Sequence, residues 1–384
     1  MRTKAIALLL AFSLSSSIAY SANPPKSGAI CSKLGAVQSY QNKKYTCIKN
    51  GKKLVWDKGT IISKNSIPSP SPSPSQIKPA IFVEPEPIVD FQNLPTRYKD
   101  IKYWAWKRTR AAADTNANST APTEILIGPN SKNCFGKIQE NIELMQRIFK
   151  GVRLPTKNWI LVGDMKSDPA WLTEKTTSLL STQQRQYNNG QLINPESVNT
   201  KEETVSWLEG SCDANFRGAM TVSHGFTHSL QQLQLLDSNG FFQADWGYLP
   251  RWLVEGGATF SEVFAAYGQD YKTYISSNFD WAEQSRYDKQ FFTDYLLLIQ
   301  PANGNLWSYT DNWPSHRAYD VGSYVCEILV ALKGPAAILE IWSDFIQTKD
   351  FNKSFKNIFG ISWNDAQPYI SEAIYKEVMW QAGK

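Results

Sequence analysis

Beyond residue 22 the sequence has no apolar run approaching the roughly 18–20 residues needed to cross a bilayer, which argues against a membrane anchor in the body of the chain. Cysteine is sparse and odd in number (Cys31, Cys47, Cys134, Cys212 and Cys326), so one thiol stays unpaired. None of the five stands at the end of the N-terminal segment, where a lipid would be attached. Histidine is scarcer, with three in 384 residues, so imidazole chemistry rests on very few positions. Acids are nearly missing from 26–59, where Asp57 alone stands against Lys26, Lys33, Lys43, Lys44, Lys49, Lys52, Lys53 and Lys58.

The N-terminus, MRTKAIALLLAFSLSSSIAYSA, sets Arg2 and Lys4 ahead of an apolar run that ends in small residues. That is the layout of a cleavable secretory signal over 1–22. The expected location is secreted, extracellular or attached to the cell envelope, which argues against nucleic acid as a partner. An oxidising compartment lets cysteines pair. Cys31 and Cys47 lie together and are expected to close a loop, worth about 3 kcal/mol in the chain-entropy picture. Cys134 with Cys212 is the second expected pair. Cys326 falls in an apolar stretch, 324–332, and reads as a buried, inert thiol.

Composition divides the rest. Residues 23–60 carry short strand-like runs punctuated by Gly and Asn-Gly turn signals, a small disulfide-stapled β module rich in lysine. Its charge suits an anionic polymer of the cell envelope, or simply a solvated surface. The Pro-Ser alternation SIPSPSPSPS opens a linker over 61–90, extended and unable to bury a core. From 91 to 384 the composition becomes ordinary. EILIG (124–128) and WILVG (159–163) read as strands, and 136–149 between them has helical spacing at Ile138, Ile142, Met145 and Phe149. From Ala219 onward helical periodicity dominates, broken near residues 238–240, 268, 303–304, 334 and 360. The expected class is α+β, a small mixed sheet followed by a helical half.

Two of the three histidines are spaced four apart in TVSHGFTHSLQQLQLL, which has helical periodicity. Residues at i and i+4 lie one above the other on a helix, so His224 and His228 can face a single ion about 2.0–2.1 Å from each nitrogen. A structural pair on one helix face is the competing reading. Twenty-seven residues beyond His228, Glu255 falls inside an apolar helical turn in YLPRWLVEGGATFSEVF, with Pro250 suited to the helix start. A capped or salt-bridged glutamate is the plain alternative. Two imidazoles and a carboxylate form the ligand set of a catalytic zinc site with one open position.

The pattern resembles the gluzincin clan of zinc metallopeptidases, the thermolysin and aminopeptidase N type. HGFTHSLQ is similar to that clan's H-E-x-x-H helix, including Gln231 three residues after the second histidine, as in its bacterial members. PRWLVEGGATF resembles the segment carrying the third ligand, and AYDVGSYVCEILVALKG the helix that brings an oxyanion-stabilising tyrosine, which would be Tyr319. LEIWSDFIQTKDFNKSFKNIFGISWNDAQPYI resembles the closing helices. The resemblance implies a gluzincin-like fold from about Glu124 to the C-terminus, zinc as cofactor, and His224, His228 and Glu255 as its ligands. The short signal and Ser-Pro linker fit a bacterial chain.

One departure outweighs these matches. Gly225 stands where the clan has the glutamate that takes a proton from metal-bound water. Loss of a positioned base typically costs about 10²–10⁴ in rate. The resulting expectation is a pseudopeptidase that binds a peptide, glycan or envelope partner. Two alternatives stand beside it: an active metallohydrolase with a non-standard base, and a metal-free binding scaffold. Glu262, two turns and some ~10 Å beyond Glu255, is the nearest stand-in acid in sequence, but nothing in the sequence aims it at the site. His316 and Tyr319 also read as ordinary surface and core residues. Trp246, Trp252, Trp281, Trp307 and Trp313 cluster near the site in sequence and suggest an aromatic-lined cleft.

Overall fold

The computed structural model describes residues 26–41, 43–61, 83–114, 120–180, 187–188, 191–192, 196–209, 219–243, 249–277, 285–297 and 317–384. The chain separates into two compact units, Met1–Val83 and Glu84–Lys384.

The first unit is an antiparallel sheet built from two tight hairpins. Strands β1 (Val37–Tyr40), β2 (Lys43–Asn50) and β3 (Lys53–Trp56) run in that order, and β4 (Thr60–Ile61) also pairs with β2. Gly51 has φ of 61° in the β2–β3 turn, a backbone that favours glycine. Tyr45 and Cys47 are buried on one face, and Cys31 and Cys47 form the expected disulfide.

The second unit is a mixed α/β assembly. Helix α1 (Ile101–Ala113) precedes β5 (Thr123–Ile127), α2 (Ile138–Ile148) and β6 (Lys157–Gly163), the strand–helix–strand that the apolar runs predict. Then come α3 (Pro169–Leu179), a two-stranded β7 (Tyr187–Asn188) and β8 (Gln191–Leu192), β9 (Glu196–Val198) and β10 (Glu203–Glu209). The sheet order is β5-β6-β10-β9, parallel except for β9. A central parallel strand is covered on both sides and therefore reads as a continuous apolar run. In β6, Ile160 and Val162 join the main core while Leu161 packs with Leu172 of α3 on the opposite face.

The helical half follows: α4 (Ala219–Gln234), α5 (Arg251–Tyr267), α6 (Tyr271–Ser276), α7 (Lys289–Leu297), α8 (Arg317–Lys333), α9 (Ala336–Thr348), α10 (Phe351–Phe359) and α11 (Trp363–Gln381). Gly268 caps α5, and Gly360, with φ of 78°, caps α10 in the left-handed conformation. Pro250 sits at the N-cap of α5. Helix α4 lies between the sheet and α5, and α5 lies between α4 and α8. Helix α5 is buried nearly all round, from Trp252 through Phe264, as a core helix must be. Within the stretch 61–90 that reads as linker, Ile88 is wholly buried in the core of this unit.

Candidate metal centre

Helix α4 presents two stripes. Val222, Phe226, Leu230 and Leu233 are buried in the main core. His224, His228 and Gln231, at i, i+4 and i+7, lie along a neighbouring stripe that meets α5. Ser229 is hydrogen-bonded to Ser206 of β10 at 3.0 Å, which ties α4 to the sheet.

Opposite the histidines, α5 supplies Glu255, 5% exposed. The two Nε2 atoms of His224 and His228 are 3.1 Å apart, and Glu255 Oε2 lies 3.6 Å from the first and 3.4 Å from the second. Ligands about 2.0–2.1 Å from a tetrahedral ion are separated by roughly 3.3–3.4 Å, so this triangle has the dimensions of one face of a tetrahedral site. Its chemistry fits too. Glu255 Oε2 is buried without a formed hydrogen bond, and both nitrogens stand beyond the usual N–H···O distance of about 2.7–3.2 Å. A group of these three residues, with ligand atoms all within 4.8 Å of one another, could hold a metal ion.

A second tier orients the triangle. Gln231 donates from Nε2 to the carbonyl of Val254 at 2.8 Å, which leaves its Oε1 facing His228 Nδ1, also at 2.8 Å. That bond assigns the proton to Nδ1 and leaves the Nε2 lone pair directed at Glu255 and His224. On the other histidine, Glu262 Oε2 stands 2.9 Å from Nδ1. Glu262 lies seven residues after Glu255, nearly the same angular position two turns on, and so reaches the site through His224. Spacing from Glu255 alone sets Glu262 some ~10 Å away, because it ignores the imidazole between them.

The electrostatics follow from this crowding. Burial alone would depress the His224 imidazole, but its contacts to Glu255 and Glu262 override that and raise its pKa to about 9. Burial likewise acts to raise the Glu255 carboxyl, and the close approach of the His224 and His228 imidazoles reverses it, holding it far below the usual carboxylate range. Tyr319 of α8 stacks on His224, with centroids 5.8 Å apart and planes 17° from parallel. Burial first, and then the charge of Glu255 and a hydrogen bond to it, push its phenol up to about 12. It is therefore a neutral O–H donor at ordinary pH, standing beside the triangle.

Gly225 is buried in α4 directly after His224 and contributes no side chain. Trp252 is not part of an aromatic cleft lining: it is 2% exposed and stacks on Trp363 in the core, centroids 4.6 Å apart. Trp246, Trp281, Trp307, Trp313 and His316 lie outside the described residues. Cys326 is free and fully buried, and burial raises its thiol well above the ordinary range. Cys134 is disulfide-bonded, and Cys212 lies outside the described residues.

No known protein family, curated protein or solved structure matches this chain.

Proposed function

We propose that the second unit is a gluzincin-like, zinc-binding domain with little or no peptidase activity, which holds a peptide beside the metal centre without cleaving it efficiently. The observation that supports this most is the triangle of His224 Nε2, His228 Nε2 and Glu255 Oε2, with sides of 3.1, 3.4 and 3.6 Å. A zinc ion held by these three residues would polarise a carbonyl bound at its open position. The chain's own residues supply less than a peptidase needs. Tyr319, kept neutral, would donate to a carbonyl oxygen bound at that position. Gly225 offers no base, and Glu262 is occupied at Nδ1 of His224, on the edge of the ring away from Nε2. The leader and the disulfides fit an exported protein.

One observation favours a metal-free reading. With its pKa near 9, His224 would be cationic at neutral pH between the carboxylates of Glu255 and Glu262, a cluster that can be satisfied without an ion.

Peptide hydrolysis by zinc-loaded wild type and by Gly225→Glu tests the proposal. Activity that appears only in Gly225→Glu, higher by about 10²-fold or more, supports a site lacking its base. Efficient cleavage by wild type would instead establish an active hydrolase with an unconventional base.

A further inference from the structure

The first unit presents a sheet face that its own fold leaves bare. Ile30 bridges Val55, and Val55 pairs with Ile48, so the three form one row across the strands. Paired residues share a sheet face, and Ile30 is 76% and Ile48 43% exposed. Val37, 54% exposed, extends the row from its position opposite Thr46, two residues before Ile48. The opposite face holds buried Tyr45 and Cys47, so the aliphatic row is not turned toward the disulfide core. Lys44 and Lys53 follow the same alternation onto the exposed face and are exposed themselves. Asp57, the acid of this stretch, accepts from the Thr46 and Gly59 amides at 3.0 and 2.9 Å, so it is committed within the unit.

We propose that this face docks on an anionic lipid bilayer, with the Ile30–Val55–Ile48 row at the interface and the lysines on the headgroups. Lysine charge alone would suit any polyanion, including the envelope polymer that composition suggests. The row decides between them. A soluble polyanion offers nothing to aliphatic side chains standing in water, and a sugar polymer would be met by flat aromatic rings. A bilayer interface takes both, burying apolar side chains among headgroups while anionic lipids attract the flanking lysines. The attraction acts within a Debye length, about 8–10 Å in moderate salt, so the apolar row must bring the lysines that close. This proposal does not rest on the metal centre.

Residues 23–384 are sedimented with vesicles of phosphatidylcholine and phosphatidylglycerol, with vesicles of phosphatidylcholine alone, and in competition with inorganic polyphosphate. The expected result is binding to the anionic vesicles only, lost in high salt. The double variants Ile30→Ser/Ile48→Ser and Lys44→Gln/Lys53→Gln should each lower the partition coefficient about tenfold. All four side chains are exposed, and far-UV circular dichroism with intact mass confirms that each variant keeps its fold and disulfide. Equal vesicle binding by wild type and the isoleucine variant would overturn the proposal, as would no vesicle binding at all. Polyphosphate binding that the isoleucine substitutions leave unchanged, in the absence of vesicle binding, would assign the face to a soluble polyanion instead.

Discussion

Gly256 of α5 and Gly322 of α8 meet backbone to backbone: a Cβ built on Gly256 would lie 2.2 Å from the carbonyl carbon of Gly322, and one on Gly322 would lie 2.5 Å from the Trp252 carbonyl oxygen. Two helices can approach this closely only where neither carries a side chain. The crossing sets the site, because Glu255 precedes Gly256 and Tyr319 lies three residues before Gly322 on the facing helix. Gly256→Ala or Gly322→Ala should therefore lower stability by at least about 1–3 kcal/mol through overpacking. Chemical denaturation measures the loss. An unchanged midpoint for both would mean the helices do not cross there.

Gln231 fixes the His228 tautomer, and Glu262 steadies His224. Removing such outer partners typically weakens metal binding about 10–100-fold. Gln231→Leu and Glu262→Gln should each raise the zinc dissociation constant by that order in competition with a chromophoric chelator. Affinity equal to wild type in both would deny them a supporting role.

Much of this was legible in the sequence. The β5–α2–β6 unit follows from its apolar periods, and the histidine pair and Glu255 from spacing on two helices. The reach of Glu262 was not, because it depends on how α4 and α5 face each other, which no one-dimensional spacing records. Nor was the fate of Trp252, since an apolar core position and an exposed stacking platform look alike in a string. The polar cluster inside the helical half was invisible for the same reason. There Tyr274 donates to Glu327 at 2.6 Å, Lys102 stands 4.0 Å from Glu327, and Glu377 is 1% exposed.

That cluster predicts a pH dependence. Burial, reinforced by the charge of Glu327, raises the Glu377 carboxyl well above its ordinary value. A folded-state pKa above the unfolded one, about 4.3, means this residue costs nothing below about pH 4. Stability then falls as pH climbs toward the folded value. Glu377→Gln, which keeps an uncharged side chain of the same shape next to Gln381, should raise stability near pH 8 and change little near pH 4. Thermal melts across that range show the difference as a flatter profile in the variant. Parallel profiles would contradict the raised carboxyl.

Cys31 and Cys47, separated by 16 residues, close the loop of the first unit. Cys31→Ser/Cys47→Ser should cost that unit about 3 kcal/mol, a large share of what so small a sheet can hold. Limited proteolysis should then cut within 26–61 while the second unit stays intact. Resistance equal to wild type would show that the sheet stands without its staple.

Zinc content of protein purified without added metal, wild type beside His228→Ala, decides whether the triangle holds an ion. About one zinc per chain is expected in wild type and little in the variant, with the variant still folded by circular dichroism. Wild type free of zinc, and unable to take it up on titration, would rule out a metal centre and leave His224, Glu255 and Glu262 as a self-contained ionic cluster.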